Sequence, residues 1–379
     1  MKFFHIADLH LGKTLNGFSM FNVQDDILNK IVSLAKENDI QSLIIAGDVY
    51  DKTIPTIEGI QLLERFLVML NQIKINVFII TGNHDSIDRV GFASELLKNS
   101  NIHIAKQYSG NITPILLNDE YGEIKVWMLP YIKPANVRKF FDFELSTYAD
   151  AVSAILNSLD INVQDRNIFI GHQCVSGAMR CNIEDILYDE GKLIDPEIFS
   201  VFDYVALGDN HRAQYMFKET IRYSGSPLKY SFNEVNYEKS VTMMEIKKKN
   251  EVLIKELPLI PLLDLREIRG CYKDIMKLEN YKNTNVNDYV RVILTDEEDI
   301  PDAISKIRTV YPNIMRLEYE NKRTSKIIDT EPVKTTEKRE PLQQFDELYQ
   351  KQIGHSMSDE QENYVKKLFN EIWNVETLS

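Results

Sequence analysis

Short apolar runs recur along the chain as far as Gly208, and each one ends in polar residues, often with a glycine. Phe3-Phe4-His5-Ile6-Ala7 runs into Asp8, Leu43-Ile44-Ile45-Ala46 into Gly47-Asp48, and Val77-Phe78-Ile79-Ile80 into Gly82-Asn83-His84. Ile168-Phe169-Ile170 runs into Gly171-His172, and Tyr204-Val205-Ala206-Leu207 into Gly208. Runs this short, rich in β-branched and aromatic residues, predict strands buried on both faces. Between the first three runs the apolar period lengthens to that of a helix. Ile27, Ile31 and Leu34 mark one face, and Ile57, Ile60, Leu63, Phe66 and Leu67 another. Alternating strands and helices predict an α/β layered core. In such a sheet, ligands gather outside the carboxyl ends of the strands, where these polar residues fall.

Residues 261–320 carry a second pattern, read as strand, helix, strand, helix, strand, with Tyr289-Val290-Arg291-Val292-Ile293-Leu294 alternating like a half-exposed strand. A small α+β domain is expected over 261–321, after a larger domain at 1–260. Residues 322–340 hold few apolar positions and read as a linker. A helical tail is expected at 341–379. Pro341 suits a first helical turn, Phe345, Leu348 and Tyr349 share a face, and Gly354 can end that helix. Ser358 and Gln361 have the spacing of a capping box for the last helix. There Tyr364, Leu368 and Ile372 form one apolar stripe and Val365, Phe369 and Trp373 its neighbour, so Trp373 and Phe369 are candidate anchors for a partner.

The chain has 379 residues, with 44% hydrophobic and 27% charged positions, ordinary for a globular protein of two or three domains. No apolar run approaches the ~20 residues of a membrane span, and Asp8 interrupts the N-terminal run too early for a secretion signal. A cytoplasmic protein is expected. Three scattered cysteines, Cys174, Cys181 and Cys271, fit a reducing compartment and argue against a disulfide framework or a thiolate zinc site. The net charge of -13 means that a nucleic-acid partner would have to be held by local positive charge, metal ions or a second protein.

The chemistry lies in the strand-end residues. They are Asp8-Leu9-His10, Gly47-Asp48, Gly82-Asn83-His84-Asp85, Gly171-His172 and Gly208-Asp209-Asn210-His211. A lone aspartate after a strand is usually a turn or a cap, and a lone histidine is usually packing or surface, as His103 and His355 are read. Cys174, two residues past His172, is read as packing. Five strand ends carrying carboxylate, imidazole or amide donors form a constellation, and the donors suit a mid-series divalent ion such as manganese or ferrous iron. A carboxylate between two ions can bridge them, and Asp48 is the candidate.

With these motifs in view, the chain resembles the calcineurin-like metallophosphoesterases. The stretches His5-Ile6-Ala7-Asp8-Leu9-His10-Leu11-Gly12, Gly47-Asp48-Val49-Tyr50-Asp51, Thr81-Gly82-Asn83-His84-Asp85-Ser86 and Tyr223-Ser224-Gly225-Ser226-Pro227-Leu228 carry the likeness. Together with Phe345-Asp346-Glu347-Leu348-Tyr349, they bring it closest to the nuclease subunits that work with a coiled-coil ATPase in bacterial DNA repair. The resemblance implies a layered β-sandwich core flanked by helices, a capping domain that touches DNA, and a tail that docks on the ATPase. It implies one metal held by Asp8, His10, Asp48 and His211, and a second held by Asp48, Asn83, His172 and position 209. It gives His84 a role at the phosphate. The implied activity is manganese-dependent, exonucleolytic on duplex DNA and endonucleolytic on single strands or hairpins, in a homodimer that binds the ATPase. One position departs from the family pattern: Asp209 stands where the family has histidine. Two other functions compete. The core motifs would serve a phosphoesterase for small phosphodiesters or phosphoproteins, and a site degraded at Asp209 would leave a non-catalytic DNA-end tether.

Overall fold

The computed structural model describes residues 1–179, 193–321, 342, 345, 346, 349, 350 and 356–376, with the backbone alone at 359 and 370–376. It forms two units, Met1–Asn321 and Lys322–Ser379.

The first unit is built on two six-stranded sheets. In the first sheet β1 (Lys2–Ile6), β4 (Ser42–Ala46), β5 (Asn76–Ile80) and β6 (Ile102–Ala105) run parallel. The antiparallel strands β13 (Ser240–Ile246) and β14 (Val252–Pro258) extend it beyond β1. The second sheet has β9 (Arg166–His172) and β10 (Tyr204–Gly208) at its centre, with β8 (Gly122–Leu129) and β7 (Ile115–Asp119) on one side. On the other side lie β12 (Lys218–Tyr223) and β11 (Gln214–Met216). A small hairpin, β2 (Thr14–Leu15) with β3 (Phe18–Ser19), stands apart from both sheets.

Strand alternation explains the layers. In β4, Ile44 and Ala46 point into the layer between the sheets, where they meet Ile168, Ile170 and Ala206. Leu43 and Ile45 point outward, into a second core under the helices α1 (Phe21–Glu37) and α2 (Ile57–Gln72). The helix Tyr148–Asn157 covers the outer face of the second sheet in the same way. Because both faces of the central strands are covered, their apolar runs are continuous. The expected layered α/β sandwich is the fold observed.

The face of α2 differs from its expected stripe. Leu63 and Phe66 are buried, but Ile57 and Ile60 are 73% and 45% exposed, and Leu62 and Leu70 take the inner positions instead. The helix carries more apolar residues than the sheet can cover, so one flank is left over.

Residues 261–321 add a three-stranded parallel sheet of β15 (Leu265–Gly270), β16 (Tyr289–Leu294) and β17 (Ile314–Tyr319). Short helices cross between its strands, giving the expected strand and helix order. One face holds its own core of Ile275, Val292, Leu294 and Ile307. Leu265 and Tyr289 belong instead to the core beneath α1, so this sheet packs on the larger body. Asp26 in α1 accepts the Leu262 N–H at 3.0 Å, and Lys229 pairs with Asp264 at 2.8 Å.

In the second unit, the helix Asp359–Glu376 opens with the expected capping box. Gln361 Oε1 accepts the Ser358 N–H at 2.9 Å, and Ser358 Oγ accepts the Gln361 N–H at 3.4 Å. Phe345 meets Phe369 edge to face, with ring centroids 6.1 Å apart. Tyr364 and Leu368 are exposed, at 65% and 41%. Leu348, Gly354 and His355 lie outside the described residues, as do the side chains of Ile372 and Trp373.

Candidate metal centre

Five strands, β1, β4, β5, β9 and β10, deliver their carboxyl ends to one place. Parallel pairing puts the ends of β1 and β4 side by side, and the loops beyond continue the ladder. The Asp8 N–H donates to the Gly47 carbonyl at 3.1 Å and the His10 N–H to the Asp48 carbonyl at 3.0 Å. The turns are sharp. Asp8, His10, Asp48 and Asp209 all have positive φ, at 54°, 43°, 47° and 95°. Non-glycine residues seldom adopt that conformation, and when they do it is often at a functional site. Two glycines make room. A Cβ on Gly82 would collide with the Asp48 carboxylate, and one on Gly47 with the His172 ring.

The donors fall into two groups that share one oxygen. Asp48 Oδ2 lies 3.7 Å from His10 Nε2 on one side and 3.6 Å from His172 Nε2 on the other. In the first group His10 Nε2 and His211 Nε2 are 3.1 Å apart, and Asp8, His10 and Asp48 each offer a donor atom within 4.8 Å of the others. In the second group His172 Nε2 lies 3.0 Å from Asn83 Oδ1 and 3.8 Å from Asp209 Oδ1. All seven residues expected to bind metal are therefore gathered here, and Asp209 faces the second group. His84 stands at the rim with its side chain 46% exposed. Its Nδ1 lies 3.2 Å from the Asp51 carbonyl and its Nε2 4.0 Å from Asp48 Oδ2. His103 is not part of this cluster; it stacks on Phe78 at 5.3 Å. Cys174 is buried packing.

The hydrogen-bond pattern fits divalent cations. His172 Nδ1 donates to the Ala46 carbonyl at 2.8 Å, so in the neutral ring the Nε2 lone pair faces two oxygens. His211 Nδ1 faces Glu234 Oε1 at 3.1 Å, which likewise turns the Nε2 lone pair toward His10. Acceptor facing acceptor is unfavourable unless a proton or a cation lies between them, and an outer carbonyl or carboxylate is the usual support of a metal-binding histidine. Asp8 Oδ2, buried and without a hydrogen-bond partner among the described residues, adds a further free donor.

Burial and charge shift the protonation of these groups. Burial pushes the Asp8 carboxyl up and the His10 imidazole well down from their usual ranges. Burial also opposes a charge on His172, but the carboxylates of Asp48, Asp8 and Asp209 outweigh it and push its pKa up to about 9. Burial opposes a charge on His211 as well, and there Glu234 wins and raises it.

Two supporting residues had different legibility. Asp85 sits within a recognised motif. Its carboxylate accepts the N–H groups of Val49, Tyr50 and Gly82 at 3.0, 2.9 and 2.9 Å, tying the Asp48 loop to the Asn83 loop. Burial and the nearby Asp48 push it up to about 6. Glu234 is fully buried behind His211, yet nothing around it in the sequence marks it out.

Comparison with known proteins agrees with this geometry. Residues 1–229 match the calcineurin-like phosphoesterase family, and residues 261–352 match the "Type 5 capsule protein repressor C-terminal domain" family. The chain is 34% identical over 324 residues to the SbcD subunit of the SbcCD nuclease of Staphylococcus epidermidis, an alignment covering 84% of this chain and 85% of that one. It is 31% identical over 322 residues to the protein of the same name from Staphylococcus saprophyticus, with 84% of each chain covered.

Proposed function

Since the chain belongs to the calcineurin-like phosphoesterases, among the relatives of the SbcD subunit of the SbcCD nuclease, we propose that it is a two-metal DNA nuclease working with an SbcC-type coiled-coil ATPase. The observation that carries this reading is the shared Asp48 Oδ2, set between two groups of donors. Asp8, His10, Asp48 and His211 would hold one ion, and Asp48, Asn83, His172 and Asp209 the other. Bound there, a pair of divalent ions, manganese by the donor chemistry, supplies Lewis acidity at a phosphodiester.

The chain's own residues do the rest. Asp48 Oδ1 accepts the His84 main-chain N–H at 3.0 Å, so the shared carboxylate and the rim histidine are positioned by one contact. His84, with Nδ1 donating to the Asp51 carbonyl, offers Nε2 to the leaving oxygen, and as an imidazolium can give it a proton or a hydrogen bond there. Its exposure suits a group that meets a polymer arriving from solvent.

Exonuclease action on duplex ends and endonuclease action on single strands or hairpins, in repair and recombination in the cytoplasm, complete the proposal. Among the described residues no helix is long and apolar enough to cross a membrane. Domains at 1–260 and 261–321, the linker at 322–340 and the tail at 341–379 divide the work: cutting, DNA contact, tethering and docking. The tail would dock through Phe345, Leu348, Tyr349, Tyr364, Leu368, Phe369, Ile372 and Trp373, and the exposure of Tyr364 and Leu368 supports this. The proposed homodimer has a candidate surface in the left-over flank of α2. Ile57 and Ile60 there, with Phe92 and Leu96 at 80% and 73% exposed, are apolar residues facing solvent.

The test is cleavage of linear duplex and hairpin DNA in manganese, with and without the ATPase, by the wild-type protein and by Asp48→Ala. Cleavage lost in the variant, together with both ions, is the expected result. Retention of two tight ions by Asp48→Ala would overturn the assignment. Activity on a chromogenic phosphodiester but not on DNA would favour the small-substrate reading. A wild-type protein that binds one ion and cuts nothing would favour the tether.

A further inference from the structure

The stretch Tyr223-Ser224-Gly225-Ser226-Pro227-Leu228 supplies no metal donor, yet it packs directly behind one. Gly225, at φ +72°, passes so close to His211 that a Cβ there would meet the Ala213 nitrogen at 2.7 Å and the His211 carbonyl at 2.8 Å. That carbonyl accepts the Ser226 N–H at 3.2 Å and a proton of Lys239 Nζ at 2.8 Å. The same ammonium donates to Ser226 Oγ at 2.8 Å and to Glu234 Oε2 at 2.5 Å, so its three protons are all engaged. Glu234 Oε1 closes the ring, accepting the Tyr230 N–H at 3.3 Å and facing His211 Nδ1 at 3.1 Å. Glu234 is 0% exposed and Lys239 7%. Water therefore has little access to either, and the group holds together through its own contacts.

We propose that Ser226, Glu234 and Lys239 form a positioning clamp on His211, gripping its backbone carbonyl and its ring at once. A carboxylate can only accept, so Glu234 keeps the proton of a neutral His211 ring on Nδ1 and the Nε2 lone pair toward the site. Lys239 keeps Glu234 ionised and in place, and Ser226 fixes Lys239 and the carbonyl together. The histidine that faces the shared oxygen from the second group is held differently. His172 Nδ1 leans on the main-chain carbonyl of Ala46, outside the reach of this clamp. The clamp therefore governs the affinity of one ion of the proposed pair and leaves the other alone. This inference rests on the two-metal reading above.

The test uses Mn(II) alone, titrated into EDTA-stripped full-length protein and followed by calorimetry and by the electron paramagnetic resonance of free Mn(II). In Glu234→Gln the amide can face His211 or Lys239 with its NH₂, and either choice opposes the arrangement. One of two ions should lose about 10–100-fold in affinity while the other is unchanged. Ser226→Ala, which removes one acceptor from Lys239, should weaken the same ion by about threefold. Melting in EDTA reports whether each variant folds. A folded Glu234→Gln that binds both ions as the wild type does overturns the clamp, and so does an equal loss at both ions. If Glu234→Gln does not fold, Ser226→Ala decides, and unchanged affinities there overturn the proposal. A wild-type protein that binds fewer than two ions fails separately, because it removes the two-metal reading underneath.

Discussion

Loading Mn(II) into the stripped protein near neutral pH should release protons, and His172 sets the size of the effect. Its ring is buried and surrounded by acid. Nε2 lies 3.6 Å from Asp48 and 3.8 Å from Asp209, and Nδ1 lies 3.9 Å from Asp8. Burial alone would keep the ring neutral, but the carboxylates prevail and push it up to about 9. At pH 7.5 a group with that value is about 97% protonated. An ion that takes Nε2 must displace this proton, so about one proton should leave per ion bound in the second group. His211, also raised, adds to the release. Calorimetry at pH 7.5 in two buffers of different ionisation enthalpy gives the count directly. The sign also fixes a stability profile. The folded value lies above the unfolded one, so in the metal-free protein this stabilisation is fully present below about pH 6.5 and is lost as pH rises through about 9. The rise from 6.5 to about 9 corresponds to about 3 kcal/mol. Melting in EDTA should fall across that window, while melting in Mn(II) should hold level. Release of less than about 0.3 proton at pH 7.5 would refute the reasoning, because it would mean that no protonated imidazole gives way to the ion.

His84→Ala should keep two Mn(II) ions per chain but lose about 10²–10⁴-fold in single-turnover DNA cleavage, and loss of one ion would make His84 a ligand instead. Asp209→His should bind the second ion more tightly and cut faster, measured by Mn(II) titration and cleavage side by side; an unchanged or lower rate would show a site adapted to its aspartate. Deleting residues 341–379 should leave a folded, metal-binding protein that no longer co-purifies with the ATPase. A much lower melting temperature in that truncation would tie the tail to the core.

The strands and the donors were legible because they share one signal. A parallel strand buried on both faces must be continuously apolar, so the polar residue that ends it stands out, as Asp8 does after Phe3-Phe4-His5-Ile6-Ala7. The buried face of α2 was less legible. Its apolar residues occupy more than one stripe, and only packing decides that Leu62 and Leu70 go in while Ile57 and Ile60 stay out. Glu234 was not legible at all. Its role comes from a fold-back that brings it to His211 from 23 positions away, and a glutamate beside an asparagine in a short 3-10 helix carries no local mark. Asp85 lies between these cases: it stands within a motif, but its three backbone contacts are visible only in the structure.

The net charge of -13 becomes easier to understand at the site itself. Asp8, Asp48 and Asp209 gather three carboxylates in a pocket with little access to water, and such a pocket repels a phosphodiester when empty of cations. Under the two-metal proposal, two divalent ions bring four positive charges against those three negative ones, with the ligand histidines neutral. With His172 protonated in the empty pocket, the local balance then changes from -2 to +1, and that positive charge lies where the scissile phosphate must sit. An acidic chain can therefore present an attractive site for DNA only in its loaded form, which couples substrate affinity to metal occupancy. Histidine at position 209 would shift the loaded balance to +2. The residue that departs from the family pattern thus sets one unit of the charge with which the loaded pocket attracts a phosphate.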